Sequence, residues 1–516
     1  MTGQQIRRSQ YILTYGPGSI IEGINGPCVM RDLDVETKFF NPKRIKKYEK
    51  TDARAKEILA NIVGDTTPDR IHIFALPTNE SEKIPNNYPL FETIGFPEWK
   101  ICYNHNRHSE NILYDGKLKK CPECNINSEG HVRFIRACPR GHMDDVDWNF
   151  AVHQGLTCPS RYFHWRSEGA SLADIKISCP FCHREITMGE VYKINFDCTG
   201  RKPESRRGYD QGCHSKMAVL QRQSTSLRQS ESITILEIPT QKKEAEGEDK
   251  KLAPFYVDEY EYVTGLIKNK TENTDEFCIE ETKKSKAYGN IPPLEITPVS
   301  RLKTITIQYG YTRKVRAEAE RTTVLIGKET SEKDGKWFPC FESIGEGVWI
   351  TLPIHIDVLR GRDKMWGNHD ESIESRFKTS DWWACYKSPL WAWYHTLSHA
   401  LIKSISIYCG YSIASIRERV YLSRDGDAGA ILLYTSSSGE DGSLGGLSGA
   451  IDFFDSITSN ADEIIRICSN DPFCIKETKE QNRTNGSACH SCIMLSETSC
   501  EHGNRFIDRH LIKEAK

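Results

Sequence analysis

The chain has almost no net charge: 69 Lys and Arg stand against 71 Asp and Glu. So balanced a chain has no global field to hold a polyanion, and any nucleic-acid role needs a local basic patch. Long hydrophobic runs are also missing. No stretch reaches the roughly 18 uninterrupted apolar residues of a membrane span. The start, MTGQQIRRSQYILTYGPG, has no apolar core of the signal-peptide kind. No repeat of about 20–50 residues is evident, which excludes a solenoid. The Gly-rich stretch from Gly439 to Gly449 lacks the lysine of a nucleotide-binding P-loop, which excludes that route to NTP hydrolysis. What is left is an ordinary globular composition, 38% hydrophobic and 27% charged, expected in the cytoplasm.

Cysteine is what the chain does have. There are 19, an odd number, and most fall in C-x2-C clusters. Where thiols stay reduced, such clustering argues for metal and not for disulfides. The expected fold class is α+β and multidomain. A mixed-sheet N-terminal and central region would carry two zinc-ribbon-like units, and a C-terminal α/β domain would carry a third site. The expected divisions are an α/β segment at 1–100, a double zinc-ribbon region at 101–235, a charged linker with a β-rich region at 236–385, and the C-terminal domain at 386–516. Nine of the cysteines fall in 101–235, a composition stapled by metal in place of a large core.

Local patterns fill in the elements. IRRSQYILTY reads as a strand stopped by Gly16-Pro17-Gly18. DRIHIFALP and SITILEIP read as further strands, and QKKEAEGEDKK as a charged excursion. RLKTITIQYGYTR, RTTVLIG, KWFPCFES and GVWITLPIHI are strand-like. PLWAWYHTLSHALIKSISIYCGY is apolar on nearly every side, so it reads as a buried helix ended by Gly410. A strand, GAILLYTSS, a helix over IDFFDSITSNADEIIRICS and a short final helix over NRFIDRHLIKEA follow.

Three zinc sites are expected from spacing, all closed and structural. The first is Cys121, Cys124, Cys138 and His142; Asp144 or Asp145 is placed to brace the histidine. The second is Cys179, Cys182, Cys198 and Cys213, with His183 or His214 able to replace a neighbour and Cys158 and His164 spare. The third is Cys474, Cys489, Cys492 and Cys500, with Cys468 competing for the first position. Arg201, Lys202, Arg206, Arg207 and Arg222 lie in or just after the second unit, where a rigid knuckle could present arginines to phosphate; a solvated loop reads equally well.

His395 and His399 stand at i and i+4, the spacing of two ligands in H-E-x-x-H proteases. Thr396 occupies the position of the catalytic glutamate, so a hydrogen-bonded core pair is the plainer reading. Glu418 is a candidate partner. The alternative is a metal-dependent hydrolase or nuclease centred on His395 and His399. Trp382, Trp383, Trp391 and Trp393 form an aromatic concentration that reads as core before it reads as a base-stacking platform. The loop from Gly439 to Gly449 could meet a phosphate or simply turn tightly.

Three segments carry a resemblance. IRRSQYILTYGPGSI, CPRGHMDDVDW and QRQSTSLRQSESITILEIP are similar to the DrmB family of bacterial DISARM antiphage systems. The C-terminal part, with YHTLSHALIKSISIYCGYSIASIRERVY, GSLGGL and ACHSCIMLSETSCEHGNRFIDR, resembles the zinc-bearing domain that also ends MrfA-type helicases. Residues 241–350 match least. The resemblance implies a non-catalytic accessory subunit that partners DrmA, a superfamily 2 helicase. It further implies contact with DNA, especially single-stranded ends, in the restriction of phage DNA. The motor would then lie on the other chain, in keeping with the missing P-loop. Arg206, Arg207 and Arg222 are the residues offered for DNA contact.

Overall fold

The structure is a computed structural model that describes residues 5–34, 41–64, 67–85, 88–105, 110–127, 130–169, 171–205, 208–238, 254–269, 274–313, 315, 322–331, 335–353, 358, 389–437, 446–476, 485–496 and 499–513. The fold is α+β, and the chain divides into two discontinuous units. One comprises residues 1–51, 67–233 and 306–341; the other comprises 52–66, 234–305 and 342–516.

The first unit is built from short antiparallel strands. Lys100–Cys102, Glu110–Tyr114, Tyr162–Ser167, Ile175–Ser178 and Glu185–Thr187 lie side by side in one sheet. Met143–Asp145, Phe134–Ala137, Lys216–Gln221 and Phe196–Asp197 form a second. Phe163, Trp165, Phe134, Val219 and Trp148 make the core shared by these strands. The segment read as a strand from IRRSQYILTY is helical instead, with Arg8–Gln10 leading into a π-turn over Tyr11–Tyr15. The Gln10 side chain accepts from the Arg7 amide and closes the first turn, and Tyr11 and Ile12 are buried by it. Ile71–Ala75 is a strand, as its alternation predicts.

In the second unit, Gly429–Ser437 shows why periodicity matters. Ile431 and Leu433 face one core, while Ala430, Leu432 and Tyr434 face another. A strand covered on both sides needs a continuous apolar run, and AILLY supplies it. Ile416–Leu422 pairs with it antiparallel, Glu418 lying opposite Leu433. The buried helix Pro389–Cys409 packs on one face of the sheet together with the helix Phe454–Arg466. Pro254–Asn269 covers the other face. Gly410, at φ 73°, ends the long helix in the left-handed conformation that glycine takes without strain. KWFPCFES and GVWITLPIHI are not two strands but one, Gly335–Thr351. The expected final helix reduces to a single turn, Arg509–Leu511, because Asn504 and Phe506 both take positive φ just before it. No helix of the described residues is long and apolar enough to cross a membrane.

Trp391 and Trp393 are core, 1% and 0% exposed. Trp382, Trp383 and QKKEAEGEDKK lie outside the described residues, as does most of the loop from Gly439 to Gly449. Where that loop ends, the amide of Leu447 and the hydroxyl of Ser448 donate to Glu346, at 2.6 and 2.9 Å. A carboxylate of the chain thus occupies donors that a phosphate would need.

Candidate metal centres

Among the described residues, cysteines and histidines, with one glutamate, gather in five groups of four, where the spacing suggested three. Cys102, His105, Cys121 and Cys124 form one; Cys138, His142, Cys198 and Cys213 a second; His153, Cys158, Cys179 and Cys182 a third. In the other unit, Cys468, Cys474, Cys489 and Cys492 form the fourth, and His395, His399, Glu418 and Cys500 the fifth. Within each group the ligand atoms lie within 4.8 Å of one another.

The structure brings these residues together in other combinations than the expected quartets. Cys121 and Cys124 part from Cys138 and His142, Cys179 and Cys182 from Cys198 and Cys213, and Cys500 from the other C-terminal cysteines. The reason is topological. A C-x2-C turn supplies half a tetrahedron, and its other half comes from whichever hairpin end is adjacent in space. Cys138 and His142 bracket the turn between Phe134–Ala137 and Met143–Asp145, while Cys198 and Cys213 flank the strand pair beside it. Cys179 and Cys182 turn between Ile175–Ser178 and Glu185–Thr187, and meet His153 at the end of the helix Trp148–His153. Cys158 and Cys468, expected only as spares, are members. Cys102 and His105, in CYNH, have the spacing of a ligand pair outside the three expected sites, and His153 is brought in only by the fold. His183 and His214 stay outside every group, and His164 is engaged with Glu110 and Glu123.

Distances decide what these groups can be. Cys102 and Cys124 sulfurs are 3.6 Å apart, Cys138 and Cys198 3.6 Å, Cys158 and Cys179 3.7 Å, and Cys468 and Cys489 3.5 Å. A disulfide would bring sulfurs to about 2.05 Å. A tetrahedron with Zn–S bonds of about 2.3 Å has edges of about 3.8 Å. The observed spacing fits the second.

The turns are built for thiolates. Asn125 and His183, each just after a C-x2-C pair, take φ near 60°, and the chain closes back through Asn125 N–H to Cys121 O and His183 N–H to Cys179 O. That curl aims amides at sulfur: Phe181 N–H donates to Cys179 Sγ, Gly200 N–H to Cys198 Sγ and Asn470 N–H to Cys468 Sγ. Burial alone would raise the Cys179 thiol, but the Cys182 and Phe181 amides bring it down to about 6. Cys489 is likewise brought to about 6 against burial, by the Cys468 thiol and the Cys492 amide.

The histidines are braced. His153 Nδ1 donates to Asn149 O at 2.9 Å, which leaves Nε2 to face the sulfurs. His142 presents Nδ1, 3.4 Å from both Cys138 and Cys198, and its Nε2 lies 3.3 Å from Asp210. His105 Nε2 is 3.4 Å from Cys121, with Glu123 near its Nδ1 at 3.8 Å. An acceptor behind a ligating imidazole fixes its tautomer and raises its basicity. Asp144 and Asp145, expected in that role, do something else. Asp145 accepts from the Glu98 and Trp99 amides, and Asp144 from Arg201 at 2.7 Å. Arg201 is thereby spent on carboxylates.

Thiolate, imidazole and tetrahedral edges together fit zinc. Cys468, Cys474, Cys489 and Cys492 would carry a net double negative charge around a divalent ion. Arg509, 3.4 Å from Cys474 Sγ, and Lys403, donating to the Cys492 carbonyl, lie against them. No disulfide occurs among the described cysteines.

Of the arginines offered for DNA, Arg206 and Arg207 lie outside the described residues. Arg222 is committed inward: Nε donates to Glu22 at 2.9 Å, and Nη1 to the carbonyls of Val132 at 2.7 Å and His131 at 3.2 Å.

Hairpins that end in cysteine and histidine clusters, and a helix-covered sheet beside a cysteine quartet, define a protein of the metal-knuckle class. Residues 397–493 match the family described as the MrfA Zn-binding domain, and residues 7–229 match a domain of unknown function, DUF8724. Over most of its length the chain is similar to the DISARM protein DrmB of Bacillus paralicheniformis, at 26% identity, covering 83% of this chain and 90% of that protein. The resemblance drawn from the sequence to DrmB thus holds.

Proposed function

We propose that this chain is a non-catalytic, zinc-stabilised accessory subunit of a DISARM-type antiphage assembly, working in the reducing cytoplasm. It docks on a DrmA-like superfamily 2 helicase and contributes to DNA binding. The observation that carries this reading is the likeness to DrmB, which spans 83% of this chain and 90% of that protein. Closure of the metal groups supports the non-catalytic part, because four protein donors leave a structural zinc no position for substrate. The hydrolase reading centred on His395 and His399 has less support, since both imidazoles are 0% exposed and Glu418 and Cys500 complete their donor set.

Co-expression with a DrmA-like helicase tests the proposal. The expected result is co-elution on size exclusion and tighter binding of single-stranded DNA by the pair than by the helicase alone. Separate elution with no gain in affinity overturns it. In the complex, Arg206→Ala with Arg207→Ala should weaken binding and flatten its salt dependence by about one unit of slope per lost phosphate contact. Nuclease activity abolished by His395→Ala would favour the hydrolase instead.

A further inference from the structure

The fifth group differs from the other four in its donors and its setting. His395 and His399 come from one face of the helix Pro389–Cys409, since i and i+4 share a face. Glu418 comes from the strand Ile416–Leu422. Its period-two neighbours Ile416, Val420 and Leu422 belong to the core beneath that helix, so a carboxylate stands in an apolar row. Cys500 comes from the C-terminal turn. His395, His399 and Glu418 are 0% exposed, and Cys500 is 5%.

As a bare cluster this arrangement is short of protons. His399 Nδ1 lies 2.8 Å from the Ile493 carbonyl, so its proton is there and the Nε2 lone pair faces inward. That Nε2 is 3.1 Å from Glu418 Oε1 and 3.2 Å from His395 Nε2, which is itself 2.7 Å from the same oxygen. Cys500 Sγ lies 3.4 Å from His395 Nε2. A lone pair of His399, a carboxylate oxygen, a sulfur and His395 Nε2 thus converge on one point, and a metal cation there satisfies all four at once, whereas the proton His395 can supply serves one of them. A tetrahedral centre with bonds of about 2.0–2.3 Å has N–N, N–O and N–S edges of about 3.3–3.6 Å; three of the observed separations, 3.1, 3.2 and 3.4 Å, lie near that range, and the His395–Glu418 separation of 2.7 Å is shorter.

The surroundings fix each donor as a ligand shell does. Ser398 bonds to the other oxygen, Glu418 Oε2, and leaves Oε1 to the centre. Cys500 Sγ accepts from the amides of His502 at 3.4 Å and Asn504 at 3.2 Å, the same curl found at the other knuckles. Charge also decides. A divalent ion with one carboxylate, one thiolate and two neutral imidazoles is electrically neutral, which suits a site this deeply buried.

We propose that His395, His399, Glu418 and Cys500 bind a divalent transition ion of the zinc class. This second centre in the C-terminal unit is separate from the cysteine quartet and pins the C-terminal turn to the core helix.

The test is metal analysis of the full chain, followed by exchange with cadmium-113 and NMR. Five metals per chain are expected. One cadmium resonance should lie far upfield of the four thiolate-rich ones, because nitrogen and oxygen donors shield cadmium more than sulfur does. Cys500→Ser should shift or remove that resonance alone. Four metals with only thiolate-rich resonances, in a protein folded by circular dichroism, overturn the proposal. If Cys500→Ser does not fold, the wild-type spectrum decides. An absent fifth metal with intact co-elution on the helicase would sink this centre and leave the accessory-subunit reading standing.

Discussion

Arg419 shows what a single residue can demand of its surroundings. It is 1% exposed, on the strand face opposite Glu418. Its guanidinium donates to Glu259 at 2.9 Å, to Glu501 at 2.7 Å and to the Thr234 carbonyl. Glu259 also accepts from Tyr421 at 2.9 Å and from the Leu236 amide at 2.7 Å. Burial raises the Glu259 carboxyl above its ordinary range even with Arg419 beside it. Arg419→Met would take away the guanidinium hydrogen-bonded to a buried carboxylate and leave it only the more distant field of Arg54, at a cost of about 3–5 kcal/mol. Urea denaturation should show that loss. A change below 1 kcal/mol would mean the network is not the support described. Replacing Arg419 together with Glu259 by Met and Gln should cost less than the sum of the two single changes, because the partners fail together.

At the scale of the element, the knuckle turn is the recurring unit. Asn125 at φ 60° sits where the chain curls back on Cys121. Asn tolerates that conformation; a β-branched residue does not. Asn125→Val should cost about 1–3 kcal/mol and should weaken zinc retention at Cys102, His105, Cys121 and Cys124, while Asn125→Gly keeps it. Competition with a chromophoric chelator reads the difference, and equal retention in both variants would refute the turn argument. Such turns were legible in the sequence because C-x2-C is local chemistry. The long helix was legible too, through its apolar run and Gly410. Which half-sites meet was not, because a C-x2-C pair carries no mark of its partner. Nearest spacing joined Cys121 to Cys138, whereas strand order joins Cys138 to Cys198. Cys500 misled in the same way: its cysteine neighbours along the chain are not its neighbours in space, and its true companions, His395 and Glu418, lie 105 and 82 residues away. Glu418 is legible in the sequence as a partner, third ligand or base beside the histidines, and nothing in one sequence brings the thiol to them.

For the whole molecule, the metals and the fold are one equilibrium. Ligands bind as thiolates and neutral imidazoles, whereas the unfolded, metal-free chain holds protons on thiols below about 8.5 and on imidazoles below about 6.5. The unfolded state therefore binds more protons than the native state, and stability must rise with pH across that range. Cys179 and Cys489, both depressed to about 6, contribute in this direction. Their contribution is complete above the ordinary thiol value and is lost as pH falls through about 6. The cores add apolar burial of their own, through Phe163, Trp165 and Trp148 in one unit and Trp391, Leu397 and Ile431 in the other, although Phe163 packs on His153 and Trp391 on His395. Yet the two knuckle-bearing sheets of the first unit are made of strands two to six residues long, too short to hold register without their stapled ends. Titration from pH 8 to pH 5 with a zinc chelator present should release metal and melt β-structure together, with protons taken up in step. The same titration with excess zinc should move the midpoint to lower pH by mass action. Release of all zinc with an unchanged circular dichroism spectrum would show that the knuckles decorate a fold they do not support.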